Sequence, residues 1–93
     1  MISEERLEKS LKYLAETDEP HAEVTANVKY LERQLKRSKA LFITADTTLK
    51  SISAKEQLYY ASEEYNKAIR ELYDAEVKST TLENKRDKEG LVI

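Results

Sequence analysis

Side chains able to do chemistry are few in this sequence. His21 is the single histidine, and Asp18, Glu19 and Glu23 lie close to it along the chain. A histidine among carboxylates suits a metal ligand or a general base, but near the start of a helix it is more often a solvated neighbour of the cap. The chain has no cysteine and one glycine, so it offers no thiolate ligand or nucleophile and no glycine-rich phosphate loop.

The 18 aspartates and glutamates are candidates for acid–base chemistry by residue type. General acid or base catalysis requires a pKa that is shifted in a desolvated cleft, and the sequence indicates no apolar pocket around any of these carboxylates. The sequence therefore predicts a protein that is not an enzyme. No catalytic residue, no metal site and no cofactor are expected.

Residues 29–39 carry five positive charges and one negative charge, with Tyr30 among them. The candidate nucleic-acid contacts are Lys29, Arg33, Lys36, Arg37 and Lys39. Such a run neutralises phosphates, and a tyrosine beside it offers a ring on which a base stacks. The alternative is a solvated helix face, partly neutralised by Glu64, Glu71 and Asp74 on a facing helix. The formal net charge of −2 favours this alternative, so nucleic acid is not the expected partner.

The residues around these side chains favour long helices. The 93 residues include one glycine and one proline, which leaves little turn chemistry for a fold with many loops. Apolar and small residues recur at alternating steps of four and three, the heptad spacing of a coiled-coil seam. The first seam is Val24, Val28, Leu31, Leu35, Ser38, Phe42, Ala45, Leu49 and Ile52, and the second is Ala54, Leu58, Ala61, Tyr65, Ala68, Leu72, Ala75, Ser79, Leu82 and Arg86. Because Arg86 ends the second seam with a charge, burial should fade there.

One domain with three helical segments is predicted. The helices are a short one over about 3–17, a long one over about 18–46 and a second long one over about 53–88, and a tail over 89–93 follows them. Pro20 marks the joint between the first two, where the apolar phase shifts by three residues, and the sequence is compatible with either a break or a kink of the helix there. The turn lies between Asp46 and Ser53, because Ser53-Ala54-Lys55-Glu56 is a capping box that starts the next helix.

Two long heptad helices joined by a short turn fold back as an antiparallel pair. If the numbers of facing residues sum to 103, a large side chain meets a small one in nearly every layer, as in Phe42 with Ala61 and Leu35 with Ala68. The predicted fold class is therefore all-α. It is a long antiparallel helical hairpin, coiled-coil-like, with a short N-terminal helix, and it associates into a helical bundle.

A lone hairpin of this composition has little to bury, since 22 residues are Leu, Ile, Val, Phe or Met. Apolar residues outside the seams are available for a second contact. The predicted interface residues are Leu7, Leu11 and Leu14 in the short helix and Ile69, Tyr73 and Val77 in the last helix. They imply a homo-oligomer, a dimer or larger. The alternative for the last three is a flank that only shields the seam.

Membrane association is not expected, because no apolar run approaches the roughly 18–20 residues of a membrane span. Residues 1–5 lack the basic start and apolar stretch of a secretory signal. A cytoplasmic location is therefore expected.

Both ends of the chain carry recognisable segments. They are Ile2-Ser3-Glu4-Glu5-Arg6-Leu7, Leu11 and Tyr13-Leu14-Ala15-Glu16-Thr17-Asp18-Glu19 at one end, and Glu83-Asn84-Lys85-Arg86 and Leu91-Val92-Ile93 at the other. Together they resemble a group of small helical proteins encoded by temperate bacteriophages and prophages, among early or recombination genes. The resemblance implies a helical phage protein and carries no settled biochemical activity with it.

The favoured hypothesis is a non-enzymatic, self-associating helical module that binds protein or acts as a scaffold. The resemblance implies a bacteriophage accessory protein with a phage or host protein partner. One alternative is an accessory nucleic-acid-binding protein in phage replication or recombination, for which strong salt dependence of binding would be the sign. Another is a component of a toxin–antitoxin or secretion-chaperone system, since a helical hairpin is an adequate shape for that role too.

Overall fold

The computed structural model describes residues 2–92, which form three α-helices arranged as a long hairpin. The helices are α1 (Glu4–Ala45), α2 (Ile52–Tyr60) and α3 (Glu63–Gly90). The radius of gyration is 20.2 Å, against about 12 Å for a compact domain of this length, and the molecule measures 69 × 18 × 17 Å. The predicted all-α helical hairpin is confirmed. Ile93, the last residue of the predicted tail, lies outside the described residues.

Helix α1 is a single helix. It begins behind Ser3, whose Oγ accepts a hydrogen bond from the backbone N–H of Arg6 at 3.1 Å. It then runs through Pro20 to Ala45, so the predicted division into helices over 3–17 and 18–46 is wrong. Pro20 removes one backbone hydrogen bond from the helix interior, yet α1 stays helical. It contacts α3 on both sides of Pro20, through Leu14 with Arg86 and through Ser38 with Glu64, and such packing can offset the loss of one hydrogen bond.

The less exposed face of α1 runs along its whole length in one phase. Its residues are Leu7, Ser10, Leu14, Thr17, His21, Val24, Val28, Leu31, Leu35, Ser38 and Phe42, at alternating steps of three and four. The predicted change of phase at Pro20 is therefore wrong. The continuous face could not be recognised from the apolar pattern alone, because Ser10, Thr17 and His21 on it are polar. Leu11, predicted as an interface residue together with Leu7 and Leu14, lies off this face and is 49% exposed, whereas Ser10 is buried on it.

Helix α3 packs antiparallel along α1. Its less exposed face consists of Tyr65, Ala68, Leu72, Ala75, Ser79, Leu82, Arg86 and Glu89, which matches the predicted seam from Tyr65 onward. The hydrogen bonds between the two helices join residue numbers that sum to 103 for Thr17 and Arg86, to 102 for Ser38 and Glu64, and to 99 for Ser10 and Glu89. The predicted sum of 103 therefore holds at Arg86 but not along the whole hairpin. Burial does not fade at Arg86 as predicted, because the face continues to Glu89.

The turn lies where it was predicted, between the end of α1 at Ala45 and the start of α2 at Ile52. The cap of α2 is Ser51 and not Ser53. Oγ of Ser51 accepts a hydrogen bond from the backbone N–H of Ala54 at 3.1 Å.

A second break separates α2 from α3, so the predicted helix over 53–88 is two helices. Ser62 caps α3: its Oγ accepts a hydrogen bond from the backbone N–H of Tyr65 at 3.2 Å and donates one to the carbonyl oxygen of Tyr59 at 2.5 Å. Ala61 is the exposed C-cap of α2. The break turns Tyr59 onto Phe42, and the predicted layer of Phe42 with Ala61 is therefore wrong.

Candidate protein-interaction surfaces

An aromatic cluster holds together the region where the three helices meet, which we call the elbow. Tyr59 is fully buried, and its ring centroid lies 5.4 Å from those of both Phe42 and Tyr65. Tyr60 packs against Tyr59 and Tyr65, at 5.9 and 5.1 Å between centroids. These tilted and edge-to-face contacts are the arrangements that aromatic pairs prefer. Within residues 2–92 the buried apolar side chains are Tyr59 and Ala75 alone, so this cluster is the main core of the hairpin.

Sequence reasoning missed the role of Tyr59. It placed Tyr65 as the only tyrosine on the seam, because it carried the heptad steps unbroken through residues 54–65. The break at Ser62 changes the phase before Tyr65. The signal that could have located it is Ser62 followed by Glu63 and Glu64, a capping serine with two acidic residues in the first turn.

Lys39, one of the candidate nucleic-acid contacts, is held by side chains at the elbow. Its Nζ donates a hydrogen bond to the hydroxyl of Tyr60 at 2.8 Å and lies 5.1 Å from the centroid of the same ring. The carboxylate of Glu56 is 3.7 Å away. The hydrogen bond to Tyr60, together with the negative charge of Glu56, raises the pKa of Lys39.

The other four candidate contacts are exposed on α1; they are Lys29, Arg33, Lys36 and Arg37. None of them forms an ion pair within 4.0 Å in the described part of the chain. The predicted neutralisation by Glu64, Glu71 and Asp74 therefore does not occur through ion pairs. Glu64 instead accepts a hydrogen bond from Oγ of Ser38 at 2.9 Å.

The apolar residues predicted for an interface fall into two groups. Ile69, Tyr73 and Val77 lie together along one side of α3 and are 36%, 66% and 46% exposed. We call these three residues the α3 stripe. Leu7 and Leu14 are half-buried on the seam of α1, and Leu11 is exposed. The structure thus keeps the α3 stripe as one accessible surface, with Tyr73 and Val77 lining a shallow groove of about 290 Å³.

Polar residues close the open end of the hairpin. Arg6 donates hydrogen bonds to both carboxylate oxygens of Glu89, at 2.7 and 2.9 Å, and Oγ of Ser10 donates to the same carboxylate at 2.7 Å. Ser10 is fully buried. The hydrogen bonds from Arg6 and then Ser10 lower the pKa of Glu89 to about 2, and the bond to Glu89 raises the pKa of Arg6.

Arg86 makes a second polar contact one turn away. Its guanidinium donates to the carbonyl oxygen of Leu14 at 2.9 Å and to Oγ1 of Thr17 at 2.7 Å, and it lies 3.4 Å from the carboxylate of Asp18. Neither Ser10 nor Glu89 was predicted to have a role. The available signal was that both fall on the seams once each heptad phase is extended to the end of its helix.

The remaining candidates for chemistry form no recognisable site. His21 is half-buried on the seam of α1, and across residues 2–92 no three His, Cys, Asp or Glu side chains are grouped to hold a metal ion. None of the helices described between Glu4 and Gly90 is both long and apolar enough to cross a bilayer. Compared with known proteins, this chain matches no family model, no curated protein and no solved structure.

Proposed function

We propose that this protein is a self-associating helical module for protein interaction or scaffolding, without catalytic activity. The observation that carries the proposal is the surface that a single hairpin exposes. The accessible surface is 7339 Å², whereas a compact monomer of 10.8 kDa exposes about 5,500 Å². The excess of about 1,800 Å² follows from the elongated shape, which leaves apolar side chains such as Ile69, Tyr73 and Val77 on the surface, where a second protein can cover them.

The excess has the size that a specific interface needs. If each of two protomers covered about half of it, the dimer would bury about 1,800 Å² in total, which is within the range of stable protein–protein interfaces. A twofold dimer of hairpins, forming a four-helix bundle, is the simplest such assembly.

The α3 stripe supplies the apolar centre of this interface. Tyrosine and aliphatic side chains are typical of interface cores, and the three residues lie side by side on one helix. The exposure of Tyr73, 66%, argues against the alternative that the stripe only shields the seam, because a shielding side chain lies over the residues it protects.

Sedimentation equilibrium over about 1–100 µM, a range well above the dissociation constants of stable dimers, tests the proposal. We expect the wild-type protein to be a dimer or larger, and Ile69→Lys with Tyr73→Lys to shift it toward the monomer. The matched control is Thr47→Lys with Gln57→Lys, which adds the same charge at exposed positions outside the stripe. A folded wild-type protein that sediments at 10.8 kDa throughout this range contradicts the proposal.

An accessory role in a temperate phage, with a phage or host protein as partner, is part of the same proposal. Its support is the resemblance of the two chain ends alone. Gene neighbourhood tests this part: we expect the coding sequence among phage early or recombination genes, and a location outside any prophage would contradict it.

A further inference from the structure

The exposed side of α1 carries a second regular stripe of residues. Glu19, Glu23, Ala26, Tyr30, Arg33 and Arg37 follow one another at steps of four, three, four, three and four, so they share one face of the helix. All six are exposed, and Tyr30 is 57% exposed. We call this set the α1 stripe.

The α1 stripe has acidic residues in its first half and basic residues in its second half. Its four charged residues form no ion pair within 4.0 Å among residues 2–92. Glu19 and Glu23 are four residues apart, as are Arg33 and Arg37, and like charges at this spacing repel each other on a single helix. The protomer therefore contains these charges without pairing them.

The charges of the α1 stripe are complementary to those of a second copy of α1 that lies antiparallel to it. If two copies of α1 lie antiparallel so that facing residue numbers sum to 56, each acidic residue meets a basic one and the small residue meets the large one. The layers are Glu19 with Arg37, Glu23 with Arg33, and Ala26 with Tyr30. A twofold axis repeats every layer, which gives four ion pairs and two layers of tyrosine on alanine.

We infer that two copies of this chain associate through the α1 stripe as an antiparallel twofold pair. The inference rests on the proposed function, because it assigns a second contact surface to the same self-associating module. Charge complementarity identifies the occupant: a second copy pairs both halves of the stripe, whereas a nucleic acid would bring its phosphates against Glu19 and Glu23. Since the α3 stripe lies on another helix, a chain that uses both contacts assembles beyond a dimer.

Charge reversal tests the inference by sedimentation, with far-ultraviolet circular dichroism to confirm that each variant is helical. Glu19→Lys with Glu23→Lys, or Arg33→Glu with Arg37→Glu, places like charges in all four charged layers and should weaken the contact at least about tenfold. An equimolar mixture of the two variants should restore association. The chain with all four substitutions should also restore it, because its stripe is again complementary and its net charge is unchanged.

Glu71→Lys with Asp74→Lys is the matched control, since it changes the net charge as the first variant does but at exposed positions of α3. Wild-type oligomers whose mass responds to neither reversal, or a four-substitution chain that fails to restore association, would overturn the inference. The proposed function would still stand in that case, because it is tested at the α3 stripe. A wild-type protein that is monomeric at all concentrations refutes both.

Nucleic acid is the alternative ligand for Arg33 and Arg37, the basic half of the α1 stripe. A labelled single-stranded oligonucleotide of about 20 residues, spanning one or more typical binding sites, is titrated near physiological salt. Tight binding that is lost with Arg33→Glu and Arg37→Glu, while the mass of the assembly stays the same, would assign these arginines to nucleic acid and overturn the inference. We expect no such binding.

Discussion

Replacing Tyr59 with alanine removes the one large side chain that is fully buried within residues 2–92. A buried tyrosine covers about 150–250 Å², which at about 25 cal/mol per Å² corresponds to about 4–6 kcal/mol. Neighbouring side chains close part of the cavity, and comparable aromatic-to-alanine changes in protein cores cost about 3–5 kcal/mol. We therefore expect Tyr59→Ala to lower the free energy of unfolding by about 3–5 kcal/mol.

The ring, and not the hydroxyl, should account for most of this loss. The ring contacts Phe42, Tyr60 and Tyr65, while the hydroxyl lies 3.4 Å from the carbonyl oxygen of Leu35, a long hydrogen bond. Tyr59→Phe should consequently cost less than about 1 kcal/mol, the net value of an ordinary hydrogen bond.

Thermal unfolding followed by far-ultraviolet circular dichroism measures these effects. All variants are compared at one protein concentration, because self-association couples the melting temperature to concentration. A loss of 3 kcal/mol corresponds to a decrease of at least about 12 °C for a domain of this size. Leu49→Ala is the control, since Leu49 is fully exposed in the turn and should matter little. A Tyr59→Ala protein that melts within about 4 °C of the wild type would refute the role of the aromatic cluster as the main core.

Three further predictions concern the ends and joints of the helices. The pKa of Glu89 is lowered from 4.5 to about 2. The ionised carboxylate therefore stabilises the folded protein fully above pH 4.5, and this stabilisation is lost as the pH falls toward 2. In Glu89→Gln, the melting temperature should no longer show this part of the pH dependence. Pro20→Ala should raise the free energy of unfolding by about 2 kcal/mol, because it restores a hydrogen bond inside α1. Urea titration measures this change, and an unchanged unfolding midpoint would show that the proline does not destabilise the helix. Ser62→Ala should lower the free energy of unfolding by about 1 kcal/mol through loss of the α3 cap, whereas Ser53→Ala, at no capping position, should be nearly neutral.

The helical hairpin and its turn were predictable because they depend on local properties. Heptad spacing on both sides of the turn and the scarcity of glycine and proline need no knowledge of tertiary contacts. The continuity of α1 through Pro20 was not predictable in this way. It depends on whether packing against α3 outweighs one lost hydrogen bond, and the seam near Pro20 is occupied by polar residues such as Thr17 and His21.

The candidate surfaces were predictable in part for similar reasons. Spacing alone placed Ile69, Tyr73 and Val77 on one side of α3, and the structure leaves that side exposed. Tyr59 could not be recognised as the main core residue, because its position depends on the break at Ser62 and on the approach of Phe42 from another helix. The sequence indicates which residues share a helix face, but not which face a break in the chain turns inward.

The contacts at the two ends of the hairpin join residues that are separated by very different lengths of chain. At the elbow, Phe42 and Tyr59 come together across a short stretch that contains the turn, whereas Arg6 and Glu89 are separated by 83 residues. Closing the longer segment directly costs about 1.4 kcal/mol more in chain entropy than closing the elbow. The contacts of the aromatic residues should therefore form first during folding, and the contacts along the seams should then form in order toward the open end. The polar contacts of Arg6 and Glu89 are then the last to form during folding and the first to open when the protein unfolds.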